Sequence, residues 1–100
     1  MTDVKMLEAA ATAAGYEWRG KSSLRGEDGE TLYEITDRKY GCSFWNPLDD
    51  GDDALRLAVT CRIFDLNKAV VDAGLSLNGK DDFAIVRLAI VKTAAGIGKK

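Results

Sequence analysis

The first fifteen residues are spaced in threes and fours. Val4, Leu7, Ala11 and Ala14 fall on one face of a helix. Asp3 stands at the N-cap position and Gly15 where a left-handed C-terminal cap belongs, so a helix is predicted between them. The period then drops to two. Tyr16-Glu17-Trp18-Arg19 alternates aromatic and charged, the pattern of a half-buried strand. The segment Gly20–Gly29 is polar, carries three glycines and reads as a hairpin connection or loop. Thr31–Thr36 and Lys39–Trp45 predict a second and a third strand, with Asp37-Arg38 as the turn between them. Three sequential strands with short gaps pair most economically as an antiparallel meander.

Asn46-Pro47 stops the third strand, because proline has no N–H to donate and keeps its predecessor out of helical geometry. Beyond the acidic run, Ala54, Leu57, Ala58 and Cys61 mark one face of a second helix. Ile63–Leu66 looks like a strand. Lys68–Ala73 is either a strand returning through a turn at Asn67 or one short helix, and it is too short for periodicity to decide. After Gly79, Asp81 or Asp82 caps a helix whose apolar stripe runs through Phe83, Ile85, Val86, Leu88, Ala89 and Ile90. Lys92, Lys99 and Lys100 lie toward its carboxyl end, the pole that favours cations. The order predicts an α+β domain with helices layered on an antiparallel sheet.

Composition narrows the chemistry more than the fold. One hundred residues, 46% hydrophobic and 30% charged, make residues 1–100 a single domain of ordinary globular type. No window approaches the roughly 18–20 apolar residues of a membrane span. The amino end, with acids at Asp3 and Glu8, is unlike a signal peptide, so a cytoplasmic setting is expected. Histidine is absent, which excludes Ser–His–Asp and Cys–His machinery and every His-containing metal site. Cys42 and Cys61 form no CxxC pattern. A disulfide is open on counting alone, but the expectation is two reduced, buried, structural thiols. The net charge of −2 is divided as −4 over residues 1–50 and +2 over residues 51–100, too mild to mark a phosphate-binding surface.

The most distinctive string is the acidic one. Asp49, Asp50, Asp52 and Asp53 around Gly51 have the residue types of a divalent-cation site but not the alternate-position spacing of an EF-hand loop. Acids gather as readily at a helix start, and Asp49–Asp52 or Asp50–Asp53 makes a variant of a capping box. The large rings Trp18, Tyr33, Tyr40 and Trp45 are expected mainly in the core, and any ring left exposed is a candidate partner contact. GKSSLRG lacks the spacing of a phosphate loop and reads as surface.

The string Trp45-Asn46-Pro47-Leu48-Asp49-Asp50-Gly51-Asp52-Asp53-Ala54-Leu55-Arg56-Leu57-Ala58-Val59 resembles a signature of the phage ABA sandwich domain family. Arg87–Gly98 is similar to that family's closing segment, and the resemblance runs from the first helix to Gly98. It implies an α/β/α sandwich, helices on both faces of a central sheet, and favours a strand pair for residues 62–73. With the elements read from the chain, the expectation is four to five mainly antiparallel strands and about three helices. Cys61-Arg62 departs from the more typical helix exit expected there. The resemblance brings no catalytic residue, cofactor or metal, and it implies a bacteriophage or prophage accessory protein in the host cytoplasm. The resulting expectation is a non-catalytic protein-binding module, with Trp45, Asn46, Asp49, Asp50 and Asp52 as partner contacts on a host or phage protein. Two alternatives stand beside it. One is nucleic-acid binding through Arg62, Lys68, Arg87 and Lys92; the other is a divalent-metal-dependent enzyme using Asp49–Asp53. A homodimer would cover any free sheet edge.

Overall fold

The computed structural model describes residues 3–25, 31–37, 39 and 41–98. Its elements run α1 (Asp3–Ala13), β1 (Glu17–Arg25), β2 (Thr31–Asp37), β3 (Gly41–Phe44), α2 (Gly51–Thr60), α3 (Leu66–Asp72) and α4 (Asp82–Gly98). The fold is α+β, with an antiparallel meander in the order β1-β2-β3. The expected count of four to five strands and three helices becomes three strands and four helices among the described residues. β1 also runs on through Gly20 to Arg25, where a hairpin connection or loop was expected. Tyr40, Arg38, Lys99, Lys100 and the end of that expected loop lie outside the described residues.

The added helix is the physical reason for the missing strands. Asp65 sits at the N-cap of α3 and its carboxylate accepts the Lys68 N–H at 3.0 Å. Ala69 and Val70 turn into the core, and Gly74, at φ +75°, ends the helix. A capped turn with two buried side chains wins over a strand pair, because cap and core satisfy its backbone locally.

Three helices leave by one motif. Tyr16 N–H donates to Ala11 C=O after α1, Ile63 N–H to Ala58 C=O after α2, and Leu75 N–H to Val70 C=O after α3. Each is the long bond of a Schellman cap, whose pivot residue needs a left-handed backbone. Gly15 and Gly74 supply it without strain, but after α2 the pivot is Arg62, at φ +57°. A non-glycine residue there carries about 1 kcal/mol of strain. Arg62→Gly is therefore expected to raise stability by about 1 kcal/mol, read as an upward shift of the urea midpoint with unchanged slope.

The sheet has one covered face. Trp18 lies opposite Ile35, and Ile35 opposite Ser43, so these residues share the inner side with Tyr33. Glu17, Thr36 and Cys42 line up on the other side with Glu34 and Phe44, and none of them is buried. Among the described residues the domain thus has two layers, which corrects the expected α/β/α sandwich. α1 packs on β1 and most extensively on α4, which also carries α2 and α3. With three helical neighbours α4 is apolar almost all round, and Ala89, Ile90, Val91, Ala94 and Ala95 are all buried. Phe83, expected in its buried stripe, is instead exposed in its first turn.

Candidate functional site

The turn after β3 is built by its own polar side chains. Asn46 C=O accepts the N–H groups of Asp49 and Asp50 at 3.1 and 2.9 Å, while its side-chain oxygen takes the Leu48 N–H at 3.1 Å. The Asn46 amide group donates to Asp49 Oδ2 at 3.2 Å. Asp50 is the N-cap of α2, its Oδ1 accepting from Asp52 N–H at 2.8 Å and Asp53 N–H at 3.1 Å. Asp53 then reaches back across the turn to accept the Asn46 N–H at 2.9 Å. This is the capping-box logic of the Asp50–Asp53 spacing, displaced so that the returning carboxylate grips Asn46. Arg87 on α4 anchors the turn from the other side, its Nε donating to Leu48 C=O at 2.9 Å.

This network assigns most of the expected contacts to structure. The carboxylates of Asp49, Asp50 and Asp53 and the side chain of Asn46 are committed to the turn, and Asp52, in the first helical turn, is exposed. Among the described residues no three His, Cys, Asp or Glu side chains converge to hold a metal ion. Trp45, expected as a partner contact, is 4% exposed and packs in the core. Tyr16 and Trp18 meet its ring edge-on, at centroid distances of 5.9 and 6.5 Å, and Tyr33 stacks on Trp18 at 5.7 Å. The Trp45 indole N–H is buried without a hydrogen-bond acceptor among the described residues. Both thiols are free, but neither is fully buried as expected: Cys61 is half-buried against the core, where burial pushes its pKa up, and Cys42 is exposed.

Beside the turn lies a groove of about 780 Å³. Tyr16, Ile35, Ser43 and Trp45 line it from the sheet side, with Asp37 and Lys39 next to β3. Asp53, Leu55, Arg56, Val59 and Thr60 of α2 form the opposite wall. The groove exists because α2 packs on α4 rather than on the sheet. Ala54, Leu57 and Ala58 are the buried residues of α2 in the shared core, which leaves Leu55 and Val59, one turn apart, 62% and 54% exposed. These two are the site residues missed in the sequence. Their i, i+4 spacing in Leu55-Arg56-Leu57-Ala58-Val59 was visible, but it runs beside a better buried stripe that claims the helix for the core.

Two carboxylates line the groove, those of Asp53 and Asp37. Desolvation by burial raises the pKa of Asp53, aided by Asp50 and Asp52 and opposed by the Asn46 N–H and Arg56. Asp37, the other carboxylate lining the groove, accepts the Lys39 backbone N–H at 2.9 Å. Both acids are thus anchored to turns. A raised folded-state pKa means that Asp53's stabilising contribution is complete below the unfolded value and declines as pH rises through the folded one. Asp53→Asn keeps an oxygen for the Asn46 N–H and removes this titration. Its stability relative to the parent is expected to improve as pH rises from below 4 toward neutrality, as measured by urea unfolding across that range.

No family model, curated protein or solved structure matches this chain. No helix among the described residues is long and apolar enough to cross a membrane.

Proposed function

We propose that this chain is a small bacteriophage- or prophage-encoded accessory protein, a non-catalytic module that binds a host or phage protein in the host cytoplasm. The phage assignment rests on the Trp45–Val59 string and its resemblance to the phage ABA sandwich domain family. The binding assignment rests on one observation: Leu55 and Val59 stand exposed on the wall of a groove lined by aromatic and aliphatic residues. Exposed apolar side chains grouped at a concave site mark a surface that another protein covers. The acidic turn, earlier the candidate contact, becomes the device that fixes the start of α2 and hence this wall. Of the four basic residues considered for nucleic acid, Arg87 is committed to Leu48, which weakens that alternative.

The test compares the tagged protein with Leu55→Asp/Val59→Asp in lysate from a phage-bearing host. The parent is expected to retain a discrete protein that the double variant loses at least tenfold, with far-UV circular dichroism unchanged. Equal retention by both proteins, or a salt-dependent shift of nucleic acid with no protein captured, contradicts the proposal.

A further inference from the structure

Among the described residues β3 is an edge strand, and its hydrogen-bonding pattern shows which of its groups are unpaired by the sheet. Trp45 N–H donates to Tyr33 C=O at 2.9 Å, so this pair is of the hydrogen-bonded type. Antiparallel pairing alternates, which makes Ser43–Ile35 and Gly41–Asp37 the next such pairs. The N–H and C=O groups of Cys42 and Phe44 therefore point away from β2, along an edge whose four residues are all exposed. These groups sit symmetrically about Ser43.

We propose that a second copy of this chain pairs with β3 across a two-fold axis at Ser43. In that register Cys42 faces Phe44 of the other copy, and Phe44 faces its Cys42. Every outward N–H and C=O of these two residues then finds a partner, in four bonds. Axes at Cys42 or at Phe44 satisfy fewer of them within the four-residue strand. The result is a continuous six-stranded sheet with no β3 edge exposed. Four residues a side fall well short of the roughly 1,200 Å² of a stable interface, so the pairing is weak. Phe44, 49% exposed, lies on the strand itself. The chain is then a weak, concentration-dependent dimer. This inference goes beyond the binding reading and does not depend on it.

The test is a directed cross-link together with a mass measurement. Residues facing each other in a non-hydrogen-bonded pair have Cα atoms about 4.5 Å apart, within disulfide range, whereas diagonal neighbours lie at about 7–8 Å. Ser43→Cys in a Cys42→Ser background is expected to form a covalent dimer under mild oxidation. Cys42→Ser alone and Arg19→Cys in that background should not. The unmodified protein should approach twice its 10.8 kDa mass in sedimentation equilibrium as concentration rises from micromolar to millimolar. Ser43→Lys, which sets like charges face to face, should weaken association at least tenfold. A mass that stays at one chain throughout, or cross-linking no faster at position 43 than at 19, overturns the inference. A strictly monomeric protein that still retains a partner through Leu55 and Val59 overturns it alone and leaves the binding reading intact.

Discussion

Trp45→Ala is expected to destabilise the domain by about 3–5 kcal/mol, the cost of emptying a buried indole site that the surroundings refill only in part. A domain of this size has only about 5–15 kcal/mol in total, so the loss should lower Tm by on the order of 20 °C. The size of the effect follows from position. Trp45 follows β3 directly, begins the turn to α2, and joins Tyr16 and Trp18 in one aromatic cluster against the sheet's inner face. Trp45→Phe separates the contributions. It keeps most of the ring packing and removes an indole N–H that is buried without an acceptor among the described residues, so a cost below about 1.5 kcal/mol is expected. Thermal unfolding followed by far-UV circular dichroism measures both. If Trp45→Ala proved as mild as Trp45→Phe, the ring would not be a core residue.

Ala94→Leu should be the second most damaging change, at about 1–3 kcal/mol. Ala10 and Ala11 on α1 and Ala94 on α4 have no exposed surface, and these two helices share the most extensive packing between elements. Small side chains let helix backbones approach closely, and added methylene groups then meet main chain, which cannot yield as a side chain can. A urea midpoint for Ala94→Leu equal to the parent's would show the helices standing further apart.

Much of this architecture could be read from the chain. The Val4–Ala14 spacing and Gly15 delimit α1 well, although its buried face turned toward Met6, Leu7, Ala10 and Ala11 and left Val4 exposed. The meander followed from strand spacing, and the buried face of α2 from Ala54, Leu57 and Ala58. For residues 68–73 the pattern leaves strand and short helix open, because seven helical residues hold too few turns to show a period, and the strand pair implied by the resemblance is the alternative that the structure does not adopt. Asp65 and Gly74, a cap at each end, were the signals that outweigh β-rich composition there. Phe83 misled in the opposite way, since it fits the apolar stripe of α4 but precedes the point where other helices cover it. The groove was the least legible feature. It arises where α2 leans on α4 rather than on the sheet, a tertiary choice that no local pattern records.

Site-specific photo-cross-linking tests the binding surface most directly. A benzophenone amino acid is placed at Leu55, on the wall of the groove, and in a second protein at Arg19, exposed on β1 and outside the groove lining. Irradiation in the phage-bearing host should join position 55 to one discrete protein other than this chain, with position 19 giving no such product. The same product at position 19 but none at 55 would contradict the assignment of the groove and α2 as the surface that binds.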